Sequence, residues 1–101
     1  MPDADARHIT EALGGRPGRP MSDAERIERE RVGNLIQAVA ACYNTLVSRE
    51  LDTGRRAGLT AKLAFYDDEF QRRAAMPAEE RRGVIRSYPE LLRTLRAEID
   101  G

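Results

Sequence analysis

Three consecutive carboxylates (Asp67, Asp68 and Glu69), one cysteine (Cys42) and one histidine (His8) are the residues of this 101-residue chain whose types could hold a metal or supply a nucleophile and base. Their spacing does not favour such chemistry. Successive helical residues point about 100° apart, so three adjacent carboxylates do not converge on one ion. A solvated face with a Glu69–Arg73 pair one turn apart is the expectation. His8 lies in a Pro- and Gly-rich stretch that gives a general base nothing to hold it in place. Cys42 has apolar neighbours and no nearby histidine, which predicts a buried, unreactive thiol. As the single cysteine it cannot form an internal disulfide and suits a reducing cytoplasm. No catalytic residue, metal site or cofactor is predicted, and whether the protein is an enzyme is left open.

Arginine offers a different chemistry, because its planar fork grips phosphates and carboxylates. Arg55-Arg56, Arg72-Arg73 and the group Arg81, Arg82 and Arg86 could do so if the fold gathered them. Acidic residues are interleaved with the last two groups, which predicts solvated pairing. Arg55-Arg56 has no acid close beside it, and together with Tyr43 it is the expected contact for an anion or other ligand.

The residues that must position these groups are best read from Val32 to Ser48, seventeen positions without a charge in a chain that is 34% charged. At 100° per residue, Val32, Leu35, Ile36, Val39, Cys42, Tyr43, Leu46 and Val47 occupy one stripe about 140° wide, a core face. The opposite side carries Asn34, Gln37, Ala38, Ala41, Asn44, Thr45 and Ser48, small or amide-bearing and uncharged. Such residues permit close helix approach and hydrogen bonding across an interface. Asn34, Gln37, Ala41, Asn44, Thr45 and Ser48 are the expected partner surface, most simply between two copies of the chain.

Ser22 is a good N-cap, with Asp23 and Glu25 at the positive end of the helix that follows. A single helix from Ala24 to Leu51 would be roughly 42 Å long, with Gly33 as its weak point, a break or a close approach. Leu51 to Gly54 reads as a turn, and a second helix is expected after Gly58, capped by Thr60 and facing the core with Leu59, Leu63, Tyr66 and Phe70. Lys62, Asp68, Glu69 and Arg72 fall on its other side. Pro77 suits the start of a third helix to Arg86. Ser87-Tyr88-Pro89-Glu90 resembles a capping box that opens a fourth. One apolar stripe crosses that junction: Val84, Ile85, Tyr88, Leu91, Leu92, Leu95 and Ile99.

These patterns predict an all-α fold, a small three- to four-helix bundle over residues 22–101 with one long N-terminal helix, preceded by a flexible arm over residues 1–21 rich in Pro and Gly. Ile9 and Leu13 could form one docking turn within that arm. Seventeen basic and seventeen acidic groups balance, which argues against a nucleic-acid partner. There is no apolar run long enough for a membrane span and no signal-peptide pattern, so a soluble cytoplasmic protein is expected. With only 20 Leu, Ile, Val and Phe residues, the core is small for a lone domain, which favours association. The expected function is a non-catalytic interaction module or small accessory subunit, a homodimer or a binder of a larger protein. The alternative is a small helical enzyme or ligand-binding protein with a pocket between the first helix and the Arg55-Arg56 turn. A DNA-binding regulator using Arg72 to Arg86 is the third reading.

Overall fold

The computed structural model describes residues 21–101, so the expectations for the arm, including His8, Ile9 and Leu13, lie outside it. The described residues form three α-helices and no strand: α1 (Asp23–Arg49), α2 (Thr53–Gln71) and α3 (Ala78–Asp100), with a 3-10 turn (Arg73–Ala75) between the last two. The architecture is all-α.

Ser22 starts α1 as its type predicts, its hydroxyl accepting the Glu25 N–H at 3.1 Å. The helix runs unbroken through Gly33 for 27 residues, about 40 Å. Gly33 is a point of close approach: a β-carbon there would stand 3.3 Å from Arg73 Cδ and 3.8 Å from the Phe70 ring. α1 is the spine of the fold. α2 and α3 both pack on it, whereas their own backbones come nowhere within 8 Å of each other at Cα.

The core has two connected parts. Towards the start of α1, Val32 and Ile36 pack with Met76 and Val84; further along, Val39, Cys42 and Tyr43 pack with Leu92 and Leu95. Leu35 and Tyr88 join both. The buried Met76 was not among the predicted core residues, because it sits alone between helices where no periodicity marks it.

Two boundaries differ from expectation. α2 begins at Thr53, before Gly54 and Gly58, because the Asp52 carboxylate accepts the Arg55 N–H at 2.9 Å and makes a stronger cap than Thr60. Arg55-Arg56 therefore belongs to the first turn of α2 and not to a loop. α3 does not stop at Ser87: Pro89 lies inside it, and the Ser87 hydroxyl donates to the Gly83 carbonyl at 2.8 Å instead of capping a new helix. An interior proline costs about 3 kcal/mol. Burying Val84, Leu92 and Leu95 on both sides of it, at roughly 1.5–3 kcal/mol per side chain, outweighs that cost.

Two charged residues are buried against expectation. Glu69 is only 6% exposed and accepts a 2.6 Å hydrogen bond from the Tyr88 hydroxyl, while the pair one turn apart on α2 is Asp68–Arg72 at 3.0 Å. Glu69 is one turn beyond Tyr66, on the side of α2 that faces α3. Arg81 is likewise 6% exposed, its Nε on Glu28 at 2.7 Å and its Nη1 on the Met76 carbonyl at 2.8 Å. Its pairing is acidic, as predicted for that group, but internal.

Candidate functional site

Because α2 and α3 occupy two sides of α1, a third side is left facing outward among the described residues. Asn34, Gln37, Ala41, Asn44 and Ser48 are exposed on it, and Thr45 is half-buried. Its hydroxyls are satisfied inside the helix: Thr45 donates to the Ala41 carbonyl at 3.2 Å and Ser48 to the Thr45 carbonyl at 2.9 Å. This lowers the desolvation cost of covering them.

The positions Asn34, Ala38, Ala41, Thr45 and Ser48 follow one another at spacings of 4, 3, 4 and 3, the register by which one helix lies along another. Arg31 is next in that register and marks its charged end. Ile27, a turn further on, is 61% exposed, and Leu51 beyond the opposite end is 94% exposed. A strip of small and amide side chains is thus bracketed by two bare aliphatic groups. Small residues let helix axes approach closely, and Asn34 at the end of the seam, with Gln37 and Asn44 beside it, offers both donors and acceptors.

The second arrangement is an open cavity of about 580 Å³ where the end of α1 meets α2 and α3. Tyr43 and Leu46 come from α1, Arg55 and Lys62 from α2, Leu95 and Glu98 from α3. Tyr43 and Arg55 therefore share one cavity, whereas Arg56 is exposed and does not line it. Arg55 Nε lies 3.6 Å from Glu50 Oε1, so its charge is partly answered within the fold.

Behind this cavity the three tyrosines gather. Tyr43 stacks on Tyr66 with centroids 5.5 Å apart and planes 9° from parallel, and Tyr66 meets Tyr88 edge-on at 5.8 Å. All three phenols are pushed above their usual pKa, chiefly by burial; the Glu98 carboxylate adds to this for Tyr43, and the hydrogen bond to Glu69 does so for Tyr88. A phenol held protonated donates hydrogen bonds and does not act as a base at neutral pH. The aromatic cluster was not read from the sequence, where the rings are spread from position 43 to position 88.

Cys42 is buried in the apolar core with Val39, Tyr43, Leu92 and Leu95. Among the described residues no three His, Cys, Asp or Glu side chains are grouped to hold a metal ion, and no helix is long and apolar enough to cross a membrane. No protein-family model, curated protein sequence or solved structure matches this chain.

Proposed function

We propose that the protein is a non-catalytic interaction module, a small cytoplasmic accessory subunit that self-associates through the outward side of α1. The observation that carries this reading is the uncharged 4-3-4-3 seam from Asn34 to Ser48, in which Asn34, Ala41 and Ser48 are exposed and Ala38 and Thr45 half-buried, Ala38 bordering α3. In a chain 34% charged, a helix side facing only water has no reason to omit Arg and Glu over four turns. A second copy laid along α1 about a twofold axis covers Ala38 and Ala41 with the same small residues and pairs Asn34, Gln37 and Asn44 across the seam. It also encloses Ile27 and Leu51, exposed aliphatic groups that the monomer leaves in water.

The test is the mass of the full chain in solution, by light scattering and sedimentation across a wide concentration range. A dimer that dissociates on dilution is expected. A strictly monomeric mass at the highest concentration reached would remove the homodimer, and a larger protein binding the same face would then have to be sought by exposing the surface to cross-linking.

The cavity lined by Tyr43 and Arg55 supports the second reading, a small-molecule binding protein. It would be favoured over the first if a ligand protected α2 from hydrogen exchange while the chain remained monomeric.

A further inference from the structure

The three arginine groups of the sequence do not act as doublets; the fold takes one member from each of two groups and adds a third arginine from α1. Arg29, Arg73 and Arg81 come from α1, the 3-10 turn and α3, and all three line one open cavity of about 580 Å³, together with Gln71 and Val32. Arg72 is turned away onto Asp68, and Arg82 and Arg86 are exposed.

Each of the three guanidiniums donates to a backbone carbonyl at the end of α2 or in the chain joining it to α3. Arg73 Nη1 reaches Phe70 at 2.8 Å, Arg29 Nη1 reaches Ala74 at 3.2 Å, and Arg81 Nη1 reaches Met76 at 2.8 Å. These bonds fix the forks but do not exhaust them, since a guanidinium has five N–H donors. Arg81 has Glu28 at 2.7 Å and Arg29 has Glu25 at 3.6 Å, whereas Arg73 has no carboxylate within ion-pair distance among the described residues, its guanidinium lying 3.8 Å above the Phe70 ring. Among the described residues this leaves Arg73 as the member of the three without an ion pair. Arg29 Nε is moreover buried with no hydrogen-bond partner among the described residues, a donor left without an acceptor. An unmet buried donor is costly and rare.

From this convergence we infer an oxyanion site, in which Arg73 and Arg29 hold the phosphate group of a small phosphorylated molecule beside Arg81 and Gln71. Arg73 supplies a charge that no carboxylate among the described residues pairs. Arg81, anchored by Glu28 and Met76, supplies a fixed positive wall, and the apolar Val32 and Met21 flank the rest of the ligand. The guanidinium is the right group for this work because it is planar, stays charged and offers paired donors to two oxygens at once. Arg29 and Arg73 also line a neighbouring cavity with Asn34 and Gln37, so the site adjoins the start of the Asn34–Ser48 seam.

Pyrophosphate and inorganic phosphate serve as probes, titrated into the full chain at constant ionic strength while the arginine Nε–H resonances are followed by NMR. Saturable shifts confined to Arg29, Arg73 and Arg81 are expected, with pyrophosphate the tighter of the two. Arg73→Gln should weaken pyrophosphate by about tenfold or more, and Arg73→Lys, which keeps the charge but loses the fork, by less. Arg55→Gln, in the other cavity, should leave the titration unchanged. Helical circular dichroism of each variant checks that it is folded, and the lysine variant carries the test if the glutamine variant is not. The proposal is overturned if the shifts do not saturate, if chloride at equal ionic strength reproduces them, or if neither Arg73 variant alters them.

Discussion

The Tyr88 hydroxyl on α3 donates a 2.6 Å hydrogen bond to Glu69 Oε1 on α2, bridging two helices whose backbones never meet. Glu69 is buried, so this bond is also the principal solvation of its carboxylate. Tyr88→Phe is expected to cost about 2 kcal/mol, the scale for a buried charged acceptor deprived of its donor. Urea denaturation measures it, and an unchanged midpoint would show that water replaces the phenol. Glu69→Gln, which keeps an acceptor, should cost less.

Stability should fall at alkaline pH. The phenols of Tyr43, Tyr66 and Tyr88 all titrate above the ordinary value of 10.0 in the folded chain, because burial penalises the phenolate. A raised folded pKa means that the stabilisation is complete below pH 10.0 and is lost as the pH climbs past it, where the unfolded chain releases protons that the folded chain keeps. Near-ultraviolet phenolate absorbance should therefore appear together with loss of helicity. Tyrosines that ionise near their ordinary pKa in a chain still fully helical would contradict this.

Ala41→Arg tests the outward side of α1. Ala41 is exposed, so the change should leave the monomer's helicity intact. In a twofold dimer it forces two unpaired cations into an uncharged seam, a cost of roughly 2–5 kcal/mol, or at least about thirtyfold in the dissociation constant. Sedimentation of the variant beside the parent chain measures it. Equal dissociation constants would remove Ala41 from any interface.

Pro89→Ala should stabilise the fold. Pro89 stands inside α3 without an N–H to continue the ladder, and alanine restores a donor for the Ile85 carbonyl. A gain on the order of 1–3 kcal/mol is expected, less whatever packing the half-buried ring contributes. Thermal unfolding gives the sign directly: a lower Tm would mean that the ring's packing outweighs its break in the helix.

The elements were legible where local chemistry and periodicity agreed. Ser22 with Asp23 and Glu25 marked the start of α1, and the stripe through Val39 marked its buried side; Leu59, Leu63, Tyr66 and Phe70 marked the buried side of α2. Boundaries were misread where local propensity was overruled. Gly54 and Gly58 look like breakers and Pro89 looks like a start, yet the Asp52 cap and the stripe from Val84 to Ile99 carry the helices through them. The outward side of α1 could be read because residues three and four apart share a face of one helix. The bond from Tyr88 to Glu69, 19 positions apart, and the meeting of Arg29 with the chain around Ala74, 45 positions apart, could not, since they depend on how helices are laid together.

The direction of α3 has a consequence for how the chain assembles. Near one end Arg81 meets Glu28, 53 residues away, and at the other Arg49 donates to the Ile99 carbonyl, 50 residues away at 2.7 Å. α1 and α3 are thus parallel, and each of their contacts closes a loop of nearly the same length. α1 and α2 run antiparallel from the tight turn between Glu50 and Asp52, so their contacts can zip outward from short loops to long ones. The pairing of α1 with α2 is therefore the early, inexpensive step. Docking of α3 is a single late closure, after which its remaining contacts with α1 follow at almost no further entropic cost.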